Sequence, residues 1–296
     1  MYDLIVRRNK KNKLKIFINV LLLLLCIFVI RSCIVNKHKN NMNAYPNAIQ
    51  VASQDFDVQI QAINNKEKEE TIKNTRITTS QQVDNILNIY KNTGEKRVFL
   101  TFDDGPSKTV TPLILDLLKK ENIKATFFLL GSRVEYNPDL VKRAYDEGHY
   151  IANHGYSHQY SSIYSSIDSI LDEYNKTEQC IQKALGDSNY HSNLFRYPGG
   201  SNGGKYNKLK QEAKEVLKQN QIAYLDWNAL SNDAAGAKTK EELINNIKST
   251  VGGKSSVVIL MHDASDKILT YETLPDVISF LREQGYKFET IYDIIE

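Results

Sequence analysis

Cysteine is scarce, with three among 296 residues. Cys26 lies inside a long apolar run and Cys33 just beyond it, so Cys180 has no partner in the rest of the chain. A disulfide framework is therefore excluded, and the fold must stand on its core. An excess of basic charge on the main body is also missing. The whole chain carries +3, yet residues 1–40 hold nine Lys or Arg against one Asp, a local +8 that leaves −5 for the remainder. That balance gives no basic patch for nucleic acid. No internal repeat is visible, nothing indicates an oligomer, and Trp227 is the only tryptophan.

Long hydrophobic runs are equally rare, and the prominent one is "LKIFINVLLLLLCIFVI", residues 14–30. At ~1.5 Å per residue it approaches the bilayer core, which normally takes about 20 residues. More Lys and Arg precede it than follow it, which predicts a cytoplasmic N-terminus and an outside location for everything later. No A-x-A-like site follows, and Arg31 two residues before Cys33 makes a poor lipid-attachment site, so an uncleaved anchor is expected, with a cleaved signal peptide as its rival. The expected organisation is a basic cytoplasmic tail over 1–13, a transmembrane anchor over 14–30, a polar extracellular stalk or small accessory region over 31–93, and a folded domain over 94–296. Within the stalk, "QQVDNILNIY" places Val83, Ile86, Leu87 and Tyr90 at helical spacing.

Beyond Gly94 short apolar runs alternate with amphipathic stretches. Strands are expected at 97–102, 125–130, 150–153, 194–196, 222–226, 256–261 and 287–289, with helices at 109–121, 138–147, 165–185, 207–220, 240–251 and 271–283. Such alternation predicts parallel strands with crossover helices, in an open sheet or a β/α barrel. In either case ligands meet the C-terminal strand ends.

Three of those ends carry unusual chemistry. "RVFLTFDDGP" runs an apolar strand into Asp103 and Asp104, where a plain turn would need only one aspartate. "YIANHGYSH" supplies His154 and His158 four residues apart, a spacing that puts both imidazoles on one face of a helical turn. His262 follows "SSVVILM" directly. A packed core does not tolerate such a convergent polar cluster without a purpose, and a metal ion supplies one. Two histidines and one carboxylate leave the open position that catalytic zinc needs, and the second aspartate is then free to act as a base.

"TFDDGP" (101–106), "HGYSH" (154–158), "RYPGG" (196–200), "WNALSND" (227–233) and "LMH" (260–262) resemble, in order, the five motifs of the polysaccharide deacetylases, carbohydrate esterases that share the NodB homology domain. The resemblance covers roughly residues 95–296 and implies a distorted (β/α) barrel of about seven parallel strands. It further implies Asp103 as general base, Asp104, His154 and His158 as ligands of one divalent metal ion (zinc, with cobalt or another ion as alternatives), and His262 as general acid. By the same resemblance Arg196 pairs with Asp103, Asp233 orients His262, and Gly199 supplies an oxyanion-binding N–H. Tyr197, Trp227 and Leu260 are expected to line the acetyl pocket and sugar groove. The chain departs from the family at Gly199, where many relatives have Tyr, and at Ala234, where they have Trp, so a more open groove is expected. His149 and His191 match no motif and read as surface residues.

The expected reaction is metal-dependent removal of N-acetyl groups from a polymeric amino sugar. The expected outside location favours peptidoglycan N-acetylglucosamine over poly-N-acetylglucosamine, chitooligosaccharide or acetylxylan. The alternative of another class is a tethered glycan-binding protein without catalysis, whose mark would be loss of a ligand or of the base. All of these residues are present.

Overall fold

The computed structural model describes residues 79–295. The expected anchor and the stalk up to residue 78 lie outside them, and among the described residues no helix is long and apolar enough to cross a membrane. The centre is a parallel sheet of β1 (Arg97–Asp103), β2 (Thr126–Leu129), β3 (Tyr150–Asn153), β4 (Leu194–Phe195), β5 (Ala223–Tyr224), β6 (Ala229–Leu230), β7 (Ser256–His262) and β8 (Lys287–Phe288). The order is β5-β4-β3-β2-β1-β7-β6, with β8 paired to the first two residues of β1. β5 and β6 are not bonded to each other, so the seven-strand path curls into a barrel-like sheet that stays open at that seam. The expected seven parallel strands are thus present.

Pleating divides the residues of β1 between two layers. Val98, Leu100 and Phe102 join the outer core with Leu115, Leu118, Ile247 and Val277 from the surrounding helices, α2 (Thr111–Lys120), α8 (Lys240–Val251) and α9 (Ile268–Glu283). Phe99 points the other way, into a cluster with Phe128, Ala152, Leu194 and Val258. Burying an aromatic or aliphatic side chain in such a layer stabilises by ~1.5–3 kcal/mol, enough to fix the register of the strand. Thr101 and Asp103 share the inward side with Phe99, and both are buried.

The inner cluster is closed at the N-terminal strand ends by α1 (Ser80–Leu87). Thr79 caps it through a capping box with Gln82, and Val83, Ile86 and Ile89 are buried against the inner cluster. The carbonyl of Ile89 accepts from Arg97 Nη2 at 2.8 Å and from the Ser256 hydroxyl at 2.5 Å, at the first residues of β1 and β7. Gln82 Nε2 donates to the Ile295 carbonyl at 2.7 Å in α10 (Tyr292–Ile295). The packed unit therefore begins by Thr79, not at Gly94. The polar composition around α1 conceals three apolar residues that the sheet has room to bury.

Other differences have similarly local causes. β6 has two residues, and α3 (Gly131–Tyr136) and α5 (Tyr160–Ile163) are short, so none leaves a readable periodicity. His149 is buried, not on the surface: its Nδ1 accepts the Ala125 N–H at 3.1 Å and its ring stands edge-on to Phe127. Burial lowers it to about 3, so it is a neutral core histidine. His191 is exposed, as expected.

Candidate active site

Register assembles the site. Thr101, Phe102 and Asp103 align with Leu260, Met261 and His262 across β1 and β7, while Leu129 aligns with Asn153, and Asn153 with Phe195. β1 and β7 end together, β2, β3 and β4 end together one residue further on, and the residues just past the ends of β1, β3 and β4, namely Asp104, His154 and Arg196, meet on one rim.

His154 and His158 lie on a loop and not on a helical turn. Gly155 has φ +80°, and the left-handed φ of +58° at His158 turns the second imidazole back toward the first. Asp104 is likewise left-handed, at φ +71°. Each such non-glycine residue costs roughly 1–3 kcal/mol, so the surrounding structure must hold them. Glu173 on α6 (Ile167–Leu185) does part of that: it accepts from the Tyr156 N–H at 2.6 Å, the Ser157 N–H at 2.7 Å and the Ser157 hydroxyl at 2.6 Å.

Asp104 Oδ1 lies 3.5 Å from His154 Nε2 and 3.5 Å from His158 Nε2, and all three donor atoms fall within 4.8 Å of one another. Ligands at ~2.0–2.1 Å on a tetrahedral ion are separated by roughly 3.3 Å, so these residues fit one metal ion. Two further observations agree. Asp104 Oδ1 is buried with no hydrogen-bond partner, an expensive condition unless another group satisfies it. His154 Nδ1 lies 2.8 Å from the Arg196 carbonyl, which can only accept, so the proton is on Nδ1 and the Nε2 lone pair is free. Burial outweighs the Asp104 charge and lowers His154 to about 3, which keeps it neutral.

Asp103 is held differently. Arg196 Nη1 donates to its Oδ1 at 2.8 Å and accompanies this with a bond to the Thr101 hydroxyl at 2.7 Å. The same guanidinium donates to the carbonyls of Leu225 at 2.8 Å and Asp226 at 3.1 Å and lies 3.9 Å above the Phe128 ring. Burial is nonetheless the stronger influence on Asp103, and its carboxyl is raised above the ordinary range against the opposing pull of Arg196.

Across the cavity Asp233 accepts from the His262 N–H at 2.8 Å, lies 2.8 Å from His262 Nδ1, and accepts the Thr270 hydroxyl at 2.8 Å. Burial opposes the imidazolium, but the Asp233 hydrogen bond and charge, helped by Asp103 and Asp104, raise His262 to about 9. The same contacts outweigh burial at Asp233 and lower its carboxyl.

A cavity of about 370 Å³ joins these groups, lined also by Tyr160, Gly199, Trp227, Leu230 and Leu260. Of the expected lining residues, Gly199, Trp227 and Leu260 are there. Tyr197 is not: its ring is wholly buried, packed into the core edge-on to Phe195. Sequence reasoning did not find Thr101, Glu173, Thr270 or Tyr160. Thr101, the one hydroxyl in an apolar strand, was the only one with a visible signal. Asp263 was missed as well. It is wholly buried, burial raises it to about 7, and Thr111 donates to it at 2.5 Å. A Cβ at Gly105 would overlap its carboxyl.

An α/β half-barrel that sets a His-His-Asp donor group and an arginine-paired aspartate opposite an aspartate-held histidine has the arrangement a hydrolytic site needs. A family description of polysaccharide deacetylase matches residues 90–222. The peptidoglycan-N-acetylglucosamine deacetylase PgdA of Listeria monocytogenes is 35% identical over 203 residues, 67% of this chain and 39% of that protein, so the match spans well under half of that relative. A peptidoglycan-N-acetylglucosamine deacetylase of Bacillus cereus is 35% identical over 205 residues, 68% of this chain and 89% of that protein. A solved CE4 esterase from Streptococcus mutans aligns with TM-score 0.63 and 30% identity, over 72% of this chain and 91% of that one. The chain belongs to the polysaccharide deacetylase family.

Proposed function

We propose that this chain hydrolyses N-acetyl groups from a polymeric amino sugar, with peptidoglycan N-acetylglucosamine as the substrate. The observation that carries this reading is the placement of two oppositely prepared proton carriers on one cavity: Asp103, a buried carboxylate beside the His-His-Asp group, and His262, held protonated by Asp233. The choice of polymer is supported by the names of the relatives from Listeria monocytogenes and Bacillus cereus.

Asp104, His154 and His158 hold one divalent ion, zinc in this reading. When bound, it supplies Lewis acidity toward a water molecule and a carbonyl oxygen. Asp103 accepts the proton of the attacking water. Gly199 borders the acetyl group, and its N–H stabilises the carbonyl oxygen as charge develops there. His262 gives its proton to the amine nitrogen as the C–N bond breaks, and acetate and a free amino sugar leave. Arg196 fixes Asp103 in place, while Asp233 keeps His262 charged until that step.

Location follows from sequence alone: the apolar run 14–30 anchors the chain, with the N-terminus in the cytoplasm and the cavity outside. The reading is tested by acetate release from peptidoglycan, poly-N-acetylglucosamine, chitooligosaccharide and acetylxylan in parallel, with and without chelator. Chelator-sensitive release from peptidoglycan supports it. Release from acetylxylan alone would make the chain an esterase, and metal binding without release from any polymer would make it a glycan-binding protein.

A further inference from the structure

Tyr160 is unusual among the cavity residues. It opens α5 immediately after the His154–His158 loop, belongs to none of the hydrophobic clusters, and is 40% exposed. Its ring nevertheless has two aromatic contacts. The His158 ring stands edge-on at 5.6 Å, and the Tyr164 ring edge-on at 5.8 Å. Tyr164 is itself anchored by a bond from its hydroxyl to the Pro198 carbonyl at 2.7 Å. A tyrosine needed only for packing would sit deeper, and one without function would be free to swing into solvent.

The hydroxyl of Tyr160 reaches the backbone of Gly199. A Cβ built on Gly199 would come within 2.5 Å of that oxygen and 3.0 Å of Cζ. Gly199 also has φ +73°, where a side chain is strained in any case. The absence of a side chain at 199 is thus what admits the Tyr160 hydroxyl to this part of the cavity wall. Two other pairs of polar groups at the wall are already engaged: Arg196 donates to Asp103, and Asp233 holds Nδ1 of His262. The Tyr160 hydroxyl makes no hydrogen bond to any of the described residues, and so remains a donor available to a ligand.

We propose that Tyr160 contacts substrate, its hydroxyl donating to the carbonyl oxygen of the scissile acetamide as the partner of the Gly199 N–H. The assignment rests on the deacetylase reading above and deepens it. Paired donors at a developing oxyanion are a general solution in acyl transfer, and a side-chain hydroxyl serves as well as an amide. Tyr160 forms no covalent bond and transfers no proton; it keeps its hydrogen and shares it. It also explains how a site with only glycine at position 199 retains an aromatic wall there, since Tyr160 supplies one from a different element.

The test compares the full chain with Tyr160→Phe, which keeps the ring and removes the donor. Initial rates of acetate release from an N-acetylglucosamine oligosaccharide and from peptidoglycan are measured over a range of substrate concentrations, beside zinc content and melting temperature. The expected result is a kcat lowered by about 10- to 100-fold, with KM, zinc content and melting temperature close to those of the parent; loss of a single oxyanion donor costs on the order of 10²-fold, less where water can substitute. A Phe variant that matches an active parent in kcat would overturn the role of Tyr160 and leave the deacetylase reading standing, as would a loss of rate that merely tracks lost zinc. A parent inactive on every acetylated polymer overturns the deacetylase reading and this role together.

Discussion

Asp103 and His262 are register partners at the last paired position of β1 and β7. Two adjacent strands thereby deliver the proposed base and the proposed acid to one rim, and the hydrogen bonds of the sheet set their spacing more rigidly than loops would. Asp103→Asn preserves the shape of this position and the bond from Arg196 while removing the proton acceptor. Acetate release is expected to fall by at least 10²-fold, the usual contribution of a general base, with zinc content unchanged. An Asp103→Asn chain as active as the parent would remove Asp103 from the chemistry.

Metal dependence is expected from Asp104, His154 and His158, whose donor atoms could hold one ion. The double change His154→Ala with His158→Ala is expected to leave no stoichiometric zinc by elemental analysis and no acetate release. Chelation of the parent should abolish release, and added zinc should restore it. Stoichiometric zinc in the double variant would place the ion elsewhere.

In the proposed mechanism the alkaline side of the pH–rate profile is set by His262. Its pKa of about 9 lies above the ordinary 6.5, so it is charged at neutral pH and activity is expected to fall as pH rises through about 9. Its contribution to folding has the same sign, being fully present below about 6.5 and lost through about 9. Asp233→Asn removes the main raising influence, so the alkaline fall should move down toward 6.5. A profile unchanged in that variant would mean that another group delivers the proton.

Glu173 ties down the loop that carries both histidines. Glu173→Ala should weaken zinc affinity by roughly 10–100-fold, as loss of a supporting hydrogen bond to a metal-ligand shell does, while excess zinc restores the rate. Competition with a chromogenic chelator measures this directly, and unchanged affinity would limit Glu173 to a local contact.

Ile86 is fully buried in the inner cluster. Ile86→Ala is expected to cost ~2–5 kcal/mol of stability in denaturant titration, with little change in zinc content. A cost under ~0.5 kcal/mol would show that α1 merely rests on the sheet.

The strand ends could be read because their chemistry is local. "TFDDGP" joins an apolar run to two carboxylates within six residues, and burial on both faces of β1 leaves no ambiguity about where that run stops. Side chains whose partners come from distant segments could not be read. His149 looks polar in isolation, yet inside the core its Nδ1 accepts the Ala125 N–H and its ring packs edge-on against Phe127. Tyr197 lies one residue after Arg196 in the same motif and just past the end of β4, yet its ring packs into the core edge-on to Phe195. The α1 segment is the clearest case: its helical spacing is legible, but the burial of Val83, Ile86 and the following Ile89 depends on strands that begin many positions later.

The position of α1 also gives the domain a direction. Ile89 meets the first residues of β1 and β7, while Asp103 and His262 are their last. Ile89, just after α1, therefore lies at the pole opposite the cavity mouth. A leash attached at that pole would point the mouth away from its point of attachment, toward whatever polymer surrounds it, and the reach of the leash would set which layer of that polymer is worked on.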